Sequence, residues 1–597
     1  MKYPSRSWMR PFSALALALA LASAFLSLPA LAGAGPSKPI SIYISWAAHD
    51  ELSDNVPLDE NLAMRELDAV SKLKAQGAQF DYFLLDMGWF DADGGYREFK
   101  KGRWPHGAEG FLAACRERGV KPGFWFSTNV CGWTTANAWM KPLPEWEESR
   151  GGYLNLQASL YQGGFLRYQM ETMQQWYDRG VRLFKFDFAN LGAAPASEIA
   201  RLGEAEVVRL NTEAWRNALV AFRKRNPEVV LIAYNGYGGD TGDSGVKFKS
   251  NIDLRWLDAF DSLYCGDPKP SDVPSANFWR SLDVYSDAMV FRYVKSGVPI
   301  SRVDSSGFMI GNTGTCYRRG KAAWKGMLIL SGARGGLVNT YYGDLALLDE
   351  SDRAWFAKAQ NLYLPLQAAG SVSLFGEYPG AGKPYGFVGK GVQGSVFTLL
   401  NPGAVAADVE LPADAASSGR VLFSDAGGTP VFNGQKLHLG PGQLAVVGTG
   451  GYADPKWDLG RGNDMLVPRR SEELVMTNVV HGARSVSASV LPPSSGVLRI
   501  MCSQTKSDGH PWRITGGAPP SGTPMGKILK LKAEQGGRDI PLERDTDRQV
   551  WSGLSWAVGE VDAQNLVPGV PVKITYAIED PKPDSGVADV SAYAVTY

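Results

Sequence analysis

Eight short apolar segments alternate with amphipathic helical patterns between residues 42 and 341, and this alternation constrains the fold more than any other feature. The predicted strands are Ile42–Trp46, Phe80–Asp86, Lys121–Ser127, Arg182–Phe188, Val229–Asn235, Ala259–Cys265, Pro299–Asp304 and Gly336–Tyr341. Strands that alternate with helices predict βαβ units, and eight units predict a (β/α)8 TIM barrel of the α/β class. An open doubly wound sheet is the alternative, but no glycine-rich dinucleotide fingerprint follows the first strand. The barrel is therefore the preferred prediction.

The sequence changes in texture after the predicted barrel, which we place at residues 33–368. Short alternating strands with Gly and Pro turns predict an antiparallel β-sandwich over 369–450. The glycine-rich stretch Gly448–Gly451 precedes a further β-rich C-terminal domain, 451–597. Its aromatic residues make this domain a candidate carbohydrate-binding region, and the alternative is that they fill the core of a second sandwich.

The N-terminus has the pattern of a secretory signal peptide over residues 1–32. Lys2, Arg6 and Arg10 precede the apolar run Phe12–Leu28, and Ala30-Leu31-Ala32 fits a small-residue cleavage site. Cleavage after Ala34 is the alternative. We therefore expect a secreted or periplasmic protein with no stable membrane insertion after signal removal.

Charge and composition exclude several classes of function. The 61 basic and 61 acidic residues balance, so the chain lacks the electrostatic footprint of a nucleic-acid binder. The five His residues are scattered and the five Cys residues match no zinc spacing. We therefore expect neither a metal nor a cofactor. In an exported chain, one disulfide among Cys131, Cys265 and Cys316 is the expectation, whereas Cys115 has the pattern of a buried helical residue.

The segment Val181–Asn190 reads VRLFKFDFAN and places Lys185 and Asp187 in an otherwise apolar strand. Charges in such a strand cost free energy unless they are paired or used. Residues two apart point to the same side of a strand, and barrel active sites lie at the C-terminal ends of the strands. Asp187 is therefore the best candidate for a catalytic carboxylate, and the alternative is a structural ion pair with Lys185.

Polar and aromatic residues also end the other predicted strands. They are Trp46, Asp86, Trp125, Asn235, Asp267 and Asp304. If these residues face one mouth of the barrel, the pocket has aromatic walls, several carboxylates and one lysine. Such a pocket suits a polyol that stacks on Trp and hydrogen-bonds to charged groups.

Two carboxylates in one pocket are the minimal machinery for cleaving a glycosidic bond. We expect Lys185 to keep Asp187 ionised as the nucleophile, because a nearby positive charge favours the charged form. Asp267, in the CGDP turn after the sixth strand, is the candidate proton donor, and its alternative role is turn formation before Pro268. Asp283 and Asp287 are rivals, but their spacing of four favours a solvated helix face or a cap.

Three segments, LLDMGWF, WPHGAEGFLAACRERGVKPGFWF and LFKFDFAN, resemble motifs of the melibiase group, the α-galactosidases and their relatives in glycoside hydrolase clan D. The resemblance covers roughly residues 40–450. It implies a retaining mechanism with Asp187 as nucleophile and Asp267 as acid/base. It also implies sugar contacts from Trp46, Asp86, Trp125 and Lys185.

Two positions depart from the pattern of this group. Met87 stands where a second Asp often follows the first, and that Asp reads hydroxyls that mark galactose. Asn235 replaces a common Cys in the fifth-strand motif, which favours a different substituent at the second carbon of the sugar. The resemblance therefore implies α-glycosidase activity more firmly than galactose specificity.

The leading interpretation is an exported retaining α-glycosidase, α-galactosidase-like, that hydrolyses terminal α-linked sugars of an oligosaccharide or polysaccharide through a covalent glycosyl-Asp intermediate. A transglycosidase with the same intermediate is a second interpretation. A carbohydrate-binding protein on a barrel without catalysis is a third, and fold alone does not separate the three.

Overall fold

The computed structural model describes residues 35–49, 56–132, 135, 138–238, 252–267, 278–305, 308–313, 316, 320–321, 323–379, 382–412, 419–425, 430–462, 468–506, 529–544, 556–578 and 586–597. The predicted signal peptide, residues 1–32, lies outside the described residues.

A parallel sheet forms the centre of the first half of the chain and curls into a barrel. Its strands are β1 (Ile40–Ile44), β2 (Tyr82–Leu85), β3 (Lys121–Ser127), β4 (Leu183–Asp187), β5 (Val230–Ala233), β6 (Ser262–Tyr264), β7 (Val303–Asp304), β8 (Phe308–Ile310) and β9 (Val338–Gly343). Strands β1 to β7 pair in sequence order, each with the next, and β9 pairs with both β1 and β8. The predicted (β/α)8 barrel is therefore confirmed.

The seventh position of the barrel is shared by β7 and β8, two short strands of one chain segment. A turn of 3-10 helix, Ile300–Arg302, occupies the start of the strand predicted at Pro299–Asp304. The backbone N–H of Leu337 donates to the carbonyl of Ser301 at 2.9 Å, and Thr340 Oγ1 donates to Asp304 Oδ1 at 3.1 Å. These bonds join the two ends of the sheet.

Helices surround the barrel. They are α1 (Glu60–Ala75), α2 (Gly107–Glu117), α3 (Phe165–Asp178), α4 (Ala196–Leu202), α5 (Glu204–Arg225), α6 (Phe278–Lys295), α7 (Trp324–Ala333) and α8 (Glu350–Ala368). Local sequence sets several of their ends: Asp59 caps α1 by accepting from the N–H of Leu62, and Asp349 and Asp352 form a capping box on α8.

Apolar residues explain why the strands sit inside. All residues of β2, β4 and β5 are buried, as expected for parallel strands covered on both faces. At the N-terminal end of β6, Asp261 accepts from Arg223 Nη2 at 2.6 Å and from the N–H of Leu231 at 2.7 Å. Polar groups at this end of the barrel therefore serve stability, and the opposite end is left for chemistry.

Antiparallel sheets follow the barrel. A six-stranded sheet contains Val372–Gly376, Tyr385–Gly391, Gly394–Leu400, Leu444–Gly448, Arg420–Ser424 and Gly460–Arg461, and a three-stranded sheet contains Ala407–Glu410, Lys436–Leu439 and Val431–Phe432. Two five-stranded sheets follow. The first contains Arg470–Leu474, Gly586–Thr596, Val497–Lys506, Trp556–Asp562 and Glu543–Arg544. The second contains Met476–His481, Ser485–Val490, Val572–Ile578, Leu529–Gln535 and Arg538–Ile540. The predicted antiparallel β-architecture after the barrel is confirmed.

Helix α6 contacts both β-regions. Arg280, fully buried, pairs with Asp283 of the same helix and with Asp425 of the six-stranded sheet region. Asp287 is also fully buried and pairs with Arg334. The expectation that Asp283 and Asp287 lie on a solvated face is therefore wrong, because this helix is covered by the following domain.

The five cysteines are buried, and no two of them form a disulfide bond. The expected disulfide among Cys131, Cys265 and Cys316 is therefore wrong. Burial raises the pKa of the Cys265 thiol well above its usual range, so this residue behaves as a small apolar side chain. Cys115 lies buried in α2 as predicted.

Candidate active site

Asp187 ends β4, and Lys185 lies two residues before it. Both side chains are buried, at 6% and 3% exposed. In the parallel register, Lys185 lies beside Trp125 and Asp187 beside Ser127 of β3. The strand therefore presents both charges at the C-terminal end of the barrel, where barrel active sites lie.

Lys185 of β4 makes its salt bridge past the neighbouring strand β3, with the residue that follows β2. Its Nζ donates to Asp86 Oδ2 at 2.7 Å. The ammonium also lies 4.1 Å from the centre of the Tyr234 ring and 5.8 Å from that of Tyr342, where the π faces attract a cation. The alternative interpretation of Asp187 as the structural ion-pair partner of Lys185 is not what the geometry shows.

Three N–H groups hold the carboxylate of Asp187. Oδ1 accepts from the backbone N–H of Phe188 at 2.9 Å and of Asn235 at 3.1 Å. Oδ2 accepts from the indole N–H of Trp125 at 3.3 Å. Phe188 has φ +50°, a left-handed conformation that costs free energy in a non-glycine residue and is often found at functional sites.

Burial raises the pKa of the Asp187 carboxyl to about 6. The positive charge of Lys185 lowers this pKa, whereas the negative charges of Asp267 and Asp86 raise it. The expectation that Lys185 would keep Asp187 ionised is thus met only in direction, because desolvation is the larger effect.

Asp267 follows β6 and lies within electrostatic range of the same cluster. Its charge raises the pKa of both Asp187 and Lys185. The hydroxyl of Tyr264 donates to Asp267 Oδ1 at 2.7 Å, which anchors one oxygen of this carboxyl. Strands β4 and β6 thereby bring the two predicted carboxylates to one mouth of the barrel.

Asp304 ends β7 and is fully buried. Tyr234 donates its hydroxyl to Asp304 Oδ2 at 2.9 Å, and Thr340 bonds the other oxygen. The hydroxyls of Tyr234 and Tyr342 are also hydrogen-bonded to each other. Asp304 therefore supports the tyrosine layer beneath Lys185, and direct contact with substrate stays a prediction.

The remaining predicted residues lie around this cluster. Trp46 is half-buried, with its ring edge-on to Tyr342 at 6.3 Å. Asn235 is half-buried beside Asp187, and Trp125 is 1% exposed and bonds to it. Their roles as sugar contacts stay predictions.

Sequence reasoning missed the tyrosines of the site. Tyr234 stacks on Tyr264 with ring centres 4.0 Å apart, so the partner of Lys185 and the partner of Asp267 touch. Tyr342 lies in β9, next to the last residue. Each of these tyrosines lies at or just after a strand end, and this position was the signal that could have identified them.

In the part of the chain that the structure describes, no group of three or more His, Cys, Asp or Glu is arranged to hold a metal ion. Likewise, none of its helices is long and apolar enough to cross a bilayer.

Comparison with known proteins gives similarity in structure and none in sequence. No family model matches the chain. No curated protein matches it in sequence. Among solved structures, the chain is similar to the GH36 α-galactosidase AgaA of Geobacillus stearothermophilus, solved with raffinose, at 12% identity and a TM-score of 0.47, covering 69% of this chain and 56% of that one.

Two further structures are similar over the same share of this chain, 69%. α-Galactosidase I of Mortierella vinacea has 13% identity, a TM-score of 0.41 and 97% coverage of its own chain. A putative α-galactosidase of Bacteroides fragilis has 14% identity, a TM-score of 0.43 and 79% coverage. The chain thus spans little more than half the length of the Geobacillus enzyme, and its site is defined by its own residues.

Proposed function

We propose that this protein is a retaining α-glycosidase that hydrolyses a terminal α-linked sugar. The observation that carries the proposal is that Asp187 ends β4 and Asp267 follows β6 at the C-terminal end of one barrel, with Lys185 two residues before Asp187. Two carboxyl groups, one attacking and one exchanging a proton, are what glycoside cleavage with retention needs.

In the first step, Asp187 Oδ2 attacks the anomeric carbon, since Oδ1 is held by two backbone N–H groups. The bond between that carbon and the leaving oxygen breaks, and the leaving oxygen takes the proton of Asp267. In the second step, a water oxygen attacks the same carbon, Asp267 takes the water proton, and the ester to Asp187 breaks.

The neighbouring residues would position the sugar. Lys185 and Asp86 form a buried charged pair that can exchange hydrogen bonds with sugar hydroxyls. Trp46, which is half-buried, offers an apolar face for the C–H side of the ring, whereas Trp125, 1% exposed, acts by holding Asp187 through its indole N–H. Met87, next to Asp86, stands where the galactose-specific pattern contains a second carboxylate, so the proposal is limited to a terminal α-linked sugar, which the panel assay would identify.

Export belongs to the proposal as well. The N-terminal pattern of residues 1–32 supports secretion or a periplasmic location, and cell fractionation with N-terminal sequencing of the mature protein checks it.

The experiment is hydrolysis of a panel of p-nitrophenyl α- and β-glycosides, with raffinose and stachyose as oligosaccharides. One α-glycoside should be cleaved, with the α-anomer of the sugar as the first product by NMR. Asp187→Asn should lower kcat at least about a thousand-fold, and Asp267→Asn should lower it most for substrates with poor leaving groups. Asp68→Asn, an exposed residue of α1, serves as the control.

Four outcomes would contradict the proposal. Near-normal turnover by Asp187→Asn would show that Asp187 is not the nucleophile. A β-configured first product would show that the reaction inverts the anomeric configuration, which contradicts the retaining mechanism. Binding of oligosaccharide without any turnover would favour a carbohydrate-binding protein, whereas sugar transfer in place of hydrolysis would favour a transglycosidase.

A further inference from the structure

His49 lies five residues after the end of β1, is 2% exposed, and takes no part in the proposed mechanism. Its two ring nitrogens each lie 2.9 Å from a backbone carbonyl oxygen, Nδ1 from that of Ser45 and Nε2 from that of Met87. Ser45 directly follows β1, and Met87 lies two residues after β2, the strand paired with β1. One imidazole ring therefore bridges the C-terminal ends of two neighbouring barrel strands.

The two carbonyl groups decide the protonation state of this ring. A carbonyl oxygen only accepts hydrogen bonds, so each ring nitrogen has to donate one. Neutral imidazole has one N–H and one lone pair, whereas imidazolium has an N–H at both nitrogens. A neutral His49 would hold its lone pair 2.9 Å from a carbonyl oxygen, in a buried place where an unmade hydrogen bond is costly. The contacts of the ring thus require the imidazolium form.

The charges at this end of the barrel favour a cation. The carboxyl groups of Asp86, Asp187 and Asp267 lie there, and Lys185 supplies an ammonium group that pairs with Asp86. An imidazolium bonded to the residue after Asp86 brings these charges closer to balance. Attraction to the carboxylates offsets part of the cost of removing a cation from water.

The turn that carries His49 is strained. Ala47 has φ +68°, a left-handed conformation that costs free energy in a non-glycine residue. The carbonyl of Ser45 accepts from the N–H of Ala48 at 3.0 Å as well as from the imidazole ring. The hydroxyl of Thr313 donates to the carbonyl of Ala47 at 3.1 Å. Such a conformation persists only where the surroundings impose it, and the bond from the ring to Ser45 is one of the contacts that do so.

The bridge acts on two residues that the proposed function assigns to sugar binding. The carbonyl of Ser45 belongs to the same peptide group as the N–H of Trp46. The N–H of Asp86 donates to Ser45 Oγ at 2.9 Å, and Asp86 Oδ1 accepts from the N–H of Met87 at 2.8 Å. The two backbone segments that the ring joins therefore set the positions of both Trp46 and Asp86.

We propose that His49 is a positioning residue for the substrate: as an imidazolium, it ties the end of β1 to the end of β2 and thereby fixes Trp46 and Asp86 against the sugar. The role in sugar binding rests on the proposed glycosidase function. The protonation state of the ring does not, so the two can be tested separately.

The first measurement is NMR of protein labelled with 15N-histidine at about pH 7.5, where an ordinary histidine is mostly neutral. The chain has five histidines, so the signals that disappear in His49→Gln identify this ring. If that variant does not fold, the four other single His→Gln variants identify it by elimination. Both ring nitrogens of His49 should carry a proton, and a deprotonated nitrogen would overturn the inference.

The second measurement is the kinetics of His49→Gln and His49→Phe on the α-glycoside that the panel identifies. Loss of the bridge should raise KM about ten-fold and change kcat less than about three-fold, because Asp187 and Asp267 lie on other strands. His438→Gln, at an exposed histidine paired with Asp408, is the matched control and should change neither constant. A merely structural role would lower the melting temperature and leave KM of the folded protein unchanged, which would overturn the inference.

Failure of this inference is distinguishable from failure of the proposed function. If the parent chain cleaves its substrate and both folded His49 variants keep the parent KM, the inference alone fails. If the parent chain cleaves no glycoside, the variants are compared for their affinity for raffinose. Weaker binding by the variants, with a doubly protonated ring in the parent, then keeps the inference and refutes the glycosidase alone, whereas no binding by the parent refutes both.

Discussion

At the scale of single residues, the carboxyl of Asp187 shows how opposing effects set one ionisation. Burial removes water from the charged form, while Lys185 and three N–H donors favour it. Burial is the larger effect, so the pKa is raised from 3.8 to about 6. A nucleophile with this pKa is ionised above pH 6 and protonated below it.

The first prediction concerns pH. kcat/KM for a p-nitrophenyl glycoside should rise with pH and level off above about 6, because only the carboxylate of Asp187 attacks. Rates measured between pH 4 and 8 give the midpoint of this acid limb. A midpoint near 4, the ordinary value for an aspartate, would show that the site does not desolvate Asp187.

The second prediction concerns the source of that shift. Asp86→Asn should move the acid limb to lower pH, because the charge of Asp86 raises the pKa of Asp187. It should also reduce kcat/KM about ten-fold or more, since Lys185 loses its partner. The same profile recorded for Asp68→Asn provides a control, and an unmoved limb in Asp86→Asn would contradict this account.

The sequence predicts the charged residues of the site better than their partners. Lys185 and Asp187 stand out because an apolar strand isolates them, and their position at a strand end follows from the pattern alone. The pairing of Lys185 with Asp86 was not predictable in the same way. It joins residues of two strands that are 99 positions apart in the sequence, and it depends on the direction in which each side chain points. Tyr234 and Tyr342 were missed because, in sequence, a buried tyrosine resembles any other core aromatic.

At the scale of elements, a buried carboxyl in α1 and a close-packed glycine before α3 each affect the free energy of unfolding. Glu66 of α1 is fully buried, and burial, with the nearby charge of Asp344, raises its pKa to about 8. Arg65 and Tyr43 face the same group. Gly164, which precedes α3, stands at φ +96° against the backbone of Glu145.

The third prediction follows from Glu66. The folded chain keeps a proton that the unfolded chain releases above about pH 4.5, so the free energy of unfolding should fall as pH rises from about 4.5 to 8. Glu66→Gln, which cannot ionise, should flatten this dependence in urea titrations at pH 5, 6.5 and 8. Glu98→Gln, exposed, should leave the slope unchanged, and an equally steep slope in Glu66→Gln would disprove the assignment.

The fourth prediction compares two glycines with positive φ. Gly164→Ala should destabilise more than Gly180→Ala, by about 1–3 kcal/mol, because the new Cβ clashes at Gly164, whereas Gly180, at φ +105°, has open space around it. Both variants bear the cost of the left-handed conformation, so the difference isolates the clash. Thermal and urea unfolding give the two free energies. Equal losses of stability would mean that the backbone around residue 164 moves to accommodate the new Cβ.

Elements were the most predictable part of the molecule. Strands β1 to β6 and β9 follow the apolar runs, with ends that differ from the predicted ones by a few residues. The seventh strand was the exception, because Ile300–Arg302 turns as a 3-10 helix and Ser301 is bonded by Leu337. The apolar pattern around residue 301 gives no information about Leu337, whose N–H donates from a distant part of the sequence.

At the scale of the whole molecule, helix α6 joins the barrel to both β-regions. Arg280 bonds Asp425 and donates from Nε to the carbonyl of Gly442 at 2.9 Å. Leu282 of the same helix belongs to the apolar core of the C-terminal sheets. The parts of the chain therefore stabilise one another.

The fifth prediction tests that junction. Asp425→Ala should lower the free energy of unfolding by about 2–4 kcal/mol, because it removes one partner of a buried Arg280. Asp458→Ala, which breaks a half-exposed pair with Arg420, should cost less than about 1 kcal/mol. Equal losses in urea titrations would show that the junction contributes no more than a surface contact.

The junction also marks the limit of sequence reasoning. Asp283 and Asp287, four residues apart on a helix, have the pattern of a solvated face. The structure buries them because distant sheets cover α6, and nothing local in the sequence indicates that cover. Whole-molecule contacts of this kind need the packing of domains, which the strand and helix patterns leave open.

The order of strands in the barrel has a consequence for engineering. The charge cluster rests on an unbroken arc from β2 to β6, with Asp86, Trp125, Lys185, Asp187 and Asp267 at their ends. The facing arc, β7 to β9 and β1, supplies Asp304, Tyr342 and Trp46. Loops grafted onto that facing arc could therefore change which substituents the protein tolerates while the reactive groups keep their places, making it the natural starting point for a library.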